Sequence, residues 1–272
     1  MKGRVLMTSI NTSSHFVNRG NELNKTFNQA SSGKRINNAA DGAAGLAIVT
    51  RLSSQVSGAQ QAQRNGLDAK SLIETEDGAL KQISNSIQRL QELAIQQGNG
   101  ILNDSDRAAL SKEASQISDQ INQVIEKSSF NEKDLFQKNS DAKDLNFQLG
   151  DKAGDVVSVA ANTTATPIQQ GLDQLNFSSS NSGNNLNTLE SIQQKVTERR
   201  SELGAVSNRI DSSVDRLSNE EIQTQSTRSR IEDADIAELV SQMTIELVKQ
   251  QAQLAAQSQA NASAEDTLRL LS

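Results

Sequence analysis

Proline placement constrains this chain more than any other feature. Its 272 residues hold a single proline, Pro167, near the middle. Proline breaks a helix because it lacks the amide donor and its ring meets the preceding turn. The long proline-free stretches on either side therefore permit helices longer than those of an ordinary globule. Apolar residues fill them at helical spacing. Between about Ala43 and Gln97 the sharpest run is Leu80, Ile83, Ile87, Leu90 and Ala94, in alternating steps of three and four, the heptad rhythm of a coiled-coil seam. Gly58, Gly66 and Gly78 lie inside this segment. Each weakens a helix by about 1 kcal/mol relative to Ala, which leaves open both a break at one of them and one unbroken helix. Gly98-Asn99-Gly100 ends the run.

The next segments follow from local chemistry. Asn103-Asp104-Ser105-Asp106 offers side-chain acceptors to the free N–H groups of a new helix start. That helix carries Leu110, Ala114, Ile117, Ile121 and Val124 as its seam and is expected to fold back antiparallel onto the first. Composition changes near Ser128. Leu145, Phe147 and Leu149 alternate with polar neighbours, Gly150 to Gly154 make a turn, and Val156 to Val159 follow, which reads as a β-hairpin. Residues 176–187 are Ser/Asn-rich and read as a loop, with Asn187 and Glu190 at capping-box spacing for the helix beyond. A second long seam runs through Leu189, Ile192, Val196, Leu203, Val206, Ile210, Val214 and Leu217, with Arg199 as its polar member. It weakens over residues 218–230 and resumes at Ile236, Val240, Met243, Leu247 and Leu254.

The N-terminal arm repeats the spacing on a small scale, with Phe16, Gly20, Leu23, Phe27 and Ala30 in heptad steps. The expected fold is mainly α: a long antiparallel coiled-coil helix bundle, or rod, with a small β-hairpin region and paired terminal helices. Residues 1–36 and 235–272 are expected to make a terminal-helix domain. Residues 37–234 would make the rod domain, with the hairpin and loops at about 130–186. Such apolar stripes lack a partner in a lone chain except each other. Contacts between copies that do not close into a ring build a filament.

Composition excludes most alternatives. Hydrophobic residues are 35% of the chain, and six Phe are its only aromatics. That suits a narrow seam of aliphatic side chains better than a broad core. A net charge of −6 leaves nothing to attract a phosphate backbone. The absence of Cys removes thiol nucleophiles, disulfides and cysteine metal ligands. His15 is the only histidine and has no nearby acidic cluster, so neither a Ser-His-Asp triad nor a two-His zinc site is available. Glu74, Glu76 and Asp77 cluster without aromatic sugar platforms and read as a solvated helix face. No run of about twenty apolar residues exists to span a membrane, and no apolar h-region follows Lys2 and Arg4. No enzyme activity, cofactor, metal or nucleic-acid partner is expected.

Several motifs then resemble one family. Ser32-Gly33-Lys34-Arg35-Ile36-Asn37-Asn38-Ala39-Ala40-Asp41-Gly42-Ala43-Ala44-Gly45-Leu46-Ala47-Ile48 is similar to the bacterial flagellin motif at the turn from terminal arm to rod helix. Gln88 to Gln96, Asn103 to Arg107, Phe130-Asn131 and Phe147-Gln148-Leu149-Gly150 resemble the motifs that follow in order. Leu203 to Arg209 and Ser229 to Asp235 resemble the C-terminal signatures. The resemblance implies a short flagellin without the variable outer domains, a secreted subunit of the extracellular flagellar filament that serves swimming motility. It implies that the terminal-helix domain, residues 1–36 and 235–272, is the inner one. Homopolymer contacts would be made by Phe16, Leu23, Phe27, Ile236, Val240, Met243, Leu247 and Leu254. It also implies export by the flagellar type III route without a cleaved signal peptide. Implied partners are an export chaperone and the hook-associated and cap proteins. Arg89, Leu93 and Glu113 would form a patch for filament packing or for a Toll-like innate receptor. The competing readings are a hook–filament junction protein, a flagellin with an enzymatic insert, and a free secreted coiled-coil binder.

Overall fold

The computed structural model describes residues 20–137, 142–177 and 182–270. Helix α1 occupies 20–32 and gives way at Gly33, whose φ of +68° is the left-handed turn that glycine adopts without a Cβ penalty. Then come α2 (Ala39–Gln97), α3 (Asp104–Lys127), α4 (Ala165–Asp173), α5 (Ser182–Glu232) and α6 (Ile236–Leu270). Among the described residues, four short strands lie between α3 and α4: β1 (Ser129–Phe130), β2 (Lys133–Asp134), β3 (Leu145–Gln148) and β4 (Val156–Val159). β1 pairs antiparallel with β2, and β3 with β4, with Leu145 opposite Val159. This is the mainly α architecture with a small hairpin that the periodicity predicts.

The chain forms two compact units. One takes the chain up to Val56 and from Ile222 onward; the other is Ser57–Glu221. The second unit holds the main core. Leu80, Ile83, Ile87 and Leu90 of α2 are fully buried with Ile121 of α3, Ile168 of α4, and Leu189 and Ile210 of α5. Burying each such side chain contributes about 1.5–3 kcal/mol. α3 starts on a complete capping box: Asn103 accepts from the Asp106 N–H at 2.9 Å and Asp106 accepts from the Asn103 N–H at 3.2 Å.

Four expectations change. α2 does not break at Gly58, Gly66 or Gly78; its non-helical residue is Gly42, with φ 166° and ψ 88°. Gly66 serves close packing, because a Cβ there would sit 2.7 Å from Val214 Cγ2 and 3.3 Å from Leu149 Cδ2. α5 begins at Ser182 rather than near Asn187 and runs unbroken through 218–230. That stretch lost its apolar seam, not its helical propensity. Asn185, expected in a loop, is instead buried and donates to Gln97 Oε1 and the Asn176 carbonyl, both at 2.9 Å. The unpredicted α4 contains Pro167 in its first turn, where the missing N–H costs no helical hydrogen bond.

Within Ser57–Glu221, α2 and α5 run antiparallel and are pinned by polar rungs. Gln63 donates to Glu221 (3.1 Å), Lys70 to Asp211 (2.8 Å), Arg200 to Asp77 (2.7 Å) and Gln193 to Ser84 (2.9 Å). On α2 the rungs recur every seven residues, in phase with the apolar seam. The fourth correction lies among them. Glu76 is buried rather than on a solvated face, and Arg199 is buried opposite it. Arg199 Nε donates to Glu76 Oε1 at 2.7 Å, and Nη2 donates to the Ala160 carbonyl at 2.8 Å. Glu76 is a seam position occupied by a carboxylate, and the seam admits it because Arg199 arrives from α5 to meet it. Burial pushes the Glu76 carboxyl above the ordinary glutamate value, and the Arg199 guanidinium opposes but does not cancel that push.

Candidate assembly surfaces

In the unit containing both terminal segments, short polar connections hold the turns after α1 and after α5 together. Lys34 and Asp233 form an isolated antiparallel bridge. The Arg35 N–H donates to the Glu232 carbonyl at 2.6 Å, and the Ala234 N–H donates to the Gly33 carbonyl at 3.0 Å. Arg35 Nη2 reaches the Ile231 carbonyl at 2.6 Å. The Glu232 carboxylate is buried and bridges Lys34 at 2.5 Å and Arg228 at 3.6 Å. Backbone pairing here makes the two motifs, far apart in sequence, one structural element.

Asp41 organises the start of α2. Its Oδ2 accepts from the N–H groups of Asn37 and Asn38, both at 3.1 Å, and its Oδ1 lies 3.3 Å from Lys25. Burial pushes this carboxyl up, but the two N–H groups and the Lys25 ammonium outweigh it, leaving the net value below the ordinary 3.8.

The terminal helices leave apolar side chains uncovered. On α6, Ile236, Val240, Leu247 and Leu254 are 46%, 46%, 41% and 55% exposed. Their spacing puts them on one face. Ile245 and Val248 are exposed on other faces, while Leu239 is buried and Met243 is half-buried. Apolar groups thus surround α6, the pattern of a helix meant to be covered on several sides. On α1, Phe27 is 61% exposed and Leu23 half-buried. Phe16 and His15 lie outside the described residues.

The expected Arg89–Leu93–Glu113 patch divides. Arg89 donates to Glu113 Oε1 at 2.6 Å, from α2 to α3, and to Glu92 at 2.8 Å along its own helix. The pair is exposed, and Glu92 and then Glu113 raise the guanidinium above its ordinary value. Leu93 is 1% exposed. It is a core residue of the helix pairing and presents nothing to a partner, a correction to its expected place in the patch. Its place in the patch came from the family motif, a run of neighbouring residues; only packing shows which way Leu93 turns.

Sequence reasoning missed Glu76 and the Glu232 bridges. The signal existed in Arg199, a charged residue on an apolar seam, which demands a buried acid opposite. Among the described residues no group of three or more His, Cys, Asp or Glu is placed to hold a metal ion. Likewise no described helix is long and apolar enough to cross a membrane. What these surfaces can do chemically is bind other apolar and charged surfaces.

Comparison with known proteins agrees with the motifs. Residues 5–141 match the model of the bacterial flagellin N-terminal helical region, and residues 186–271 match that of the C-terminal helical region. A flagellin of Halalkalibacterium halodurans is 34% identical, over 92% of each chain. A flagellar filament core protein of Brachyspira hyodysenteriae is 29% identical, over 97% of this chain and 98% of that protein. The crystal structure of Bacillus cereus flagellin superposes with a TM-score of 0.52 at 31% identity, covering 57% of this chain and 88% of that one. With both terminal helical regions matched in order and the relatives spanned nearly end to end, the chain belongs to the bacterial flagellin family.

Proposed function

We propose that this flagellin is the structural subunit of an extracellular flagellar filament, and that copies polymerise through the apolar faces of the terminal helices. The observation that carries the interface is the exposed face Ile236, Val240, Leu247 and Leu254 on a helix that is apolar on its other faces too. Burying each of these against a neighbour would contribute about 1.5–3 kcal/mol per side chain. Repeated head-to-tail contact propagates a filament because the interface does not close. Residues 1–36 and 235–272 are on this reading the assembling segments, and 37–234 the remainder of the subunit. The exposed Arg89–Glu113 pair would meet a neighbouring subunit.

The same apolar face of α6 suits an export chaperone that shields it before assembly, with passage through the flagellar type III channel. Cap and hook-associated proteins would meet the same face at the filament ends. The test is seeded sedimentation of purified subunits with filament fragments. Wild type is expected to pellet, whereas Val240→Asp with Leu247→Asp stays in the supernatant with an unchanged helical signal. A double variant that pellets like wild type removes this interface. A wild type that stays soluble removes the filament reading itself.

A further inference from the structure

Four dipeptides place Asp or Asn directly before glycine: Asp41-Gly42, Asn65-Gly66, Asp77-Gly78 and Asn99-Gly100. In such a pair the glycine nitrogen can attack the side-chain carbonyl carbon, because no Cβ obstructs it. From Asn, a C–N bond forms to close a succinimide and the side-chain nitrogen leaves as ammonia. Water then opens the ring at one carbonyl or the other, giving Asp or isoaspartate. Only water is consumed.

The structure separates the four. Asn65 is half-buried within α2, where it accepts from Gln61 Nε2 and donates to the Gln148 carbonyl, both at 3.0 Å, and the Gly66 N–H belongs to the helix ladder. Asp41 and Asp77 both lie in α2 and both carboxylates are held. Asp41 accepts from two backbone N–H groups and faces Lys25, while Asp77 accepts from Arg200 at 2.7 and 3.3 Å. An ionised carboxylate is a poor electrophile, and these contacts fix both side chains in place. Gly78 also sits well inside the helix, where its N–H belongs to the ladder. Asn99-Gly100 lies in the turn between α2 and α3, outside any helix, with both residues exposed. The neutral Asn99 side chain folds back over the turn, its Oδ1 accepting from the Ile101 N–H at 3.2 Å. That closure lays the side-chain amide alongside the Gly100 peptide. The Gly100 N–H makes no hydrogen bond among the described residues, and open space lies where its Cβ would be.

We propose that Asn99 is a self-modification site: in the folded protein it converts with Gly100 through a succinimide to Asp and isoaspartate, while Asp41, Asn65 and Asp77 are spared. Either product places a carboxylate in the turn where Arg107 holds the Gln97 carbonyl at 2.9 Å. Isoaspartate also lengthens the backbone of that turn by one carbon.

The experiment ages the full-length folded chain in mildly alkaline buffer and follows each site by peptide mass spectrometry, with isoaspartate methyltransferase labelling. The expected result is a one-mass-unit gain confined to the Asn99 peptide, together with isoaspartate label there. Asn99 should convert roughly tenfold faster than Asp41 or Asp77 isomerises, and Gly100→Ala should slow it by roughly tenfold, since a Cβ then hinders the attack. In the urea-unfolded chain Asp41 and Asp77 should begin to take label as well. Asn99 converting no faster than helical Asn65, or equal labelling of all four sites in the folded chain, overturns the proposal.

Discussion

At the scale of single residues, Asp41 shows how much one carboxylate can organise. It closes the Asn37–Asn38 turn and meets Lys25, so Asp41→Asn should cost about 1–2 kcal/mol in the unit that holds the terminal segments. The sign of its pH dependence follows from the folded value lying below 3.8. The folded state holds fewer protons than the unfolded one, so its contribution is complete above the unfolded value and lost as pH falls through the folded value. Acid titration followed by circular dichroism should show that loss in wild type, reduced in Asp41→Asn. Arg89 behaves oppositely because it lies on the surface. Arg89→Glu should leave the melting temperature within error, since exposed pairs contribute little. On the proposed reading it slows seeded polymerisation, and adding Glu113→Arg restores it. Unchanged polymerisation would remove this pair from the interface.

Between elements, the α2–α5 pairing combines a non-directional apolar seam with directional polar rungs. A heptad seam alone tolerates a slip of seven residues, because apolar positions then still meet apolar positions. The buried Glu76–Arg199 pair does not tolerate it. Arg199→Met should destabilise Ser57–Glu221 by about 3–5 kcal/mol, because it strands a buried carboxylate. The double change Glu76→Leu with Arg199→Met should recover most of that loss, as apolar replacement of a buried pair often does. Urea unfolding of the two variants checks both statements; a double variant no better than the single would show that the pair adds net stability. Ile210→Asp belongs to the same seam. With Ile210 fully buried, an unpaired charge there should unfold this unit, and an unchanged melting temperature would refute the packing.

For the whole molecule, the main core and the apolar face proposed for assembly belong to different parts of the chain. Among the described residues, the main core is built from side chains of Ser57–Glu221 itself. Deleting residues 1–30 should therefore abolish seeded pelleting while the cooperative melt of the core remains. A truncated chain that pellets normally would contradict assembly through the N-terminal segment. Apolar surface left exposed on α6 means that a lone subunit is incomplete.

The linear chain was enough to determine the long helices, their seams and the hairpin. Heptad spacing, capping residues and alternation are local properties, legible wherever packing agrees with them: the Leu80 to Ala94 seam, the helix start at Asn103–Asp106 and the hairpin over 145–159 all reappear. The family motifs were equally legible because they are runs of neighbouring residues. Tertiary structure alone decided that Glu76 is buried and that Leu93 faces the core. It also decided that α5 continues where its seam fades, and that Gly33–Arg35 pairs with Glu232–Ala234. Each depends on a partner more than a hundred residues away or on which side of a helix is covered. Neither is encoded in the spacing of nearby residues, because a stripe on one helix states only that something apolar must cover it.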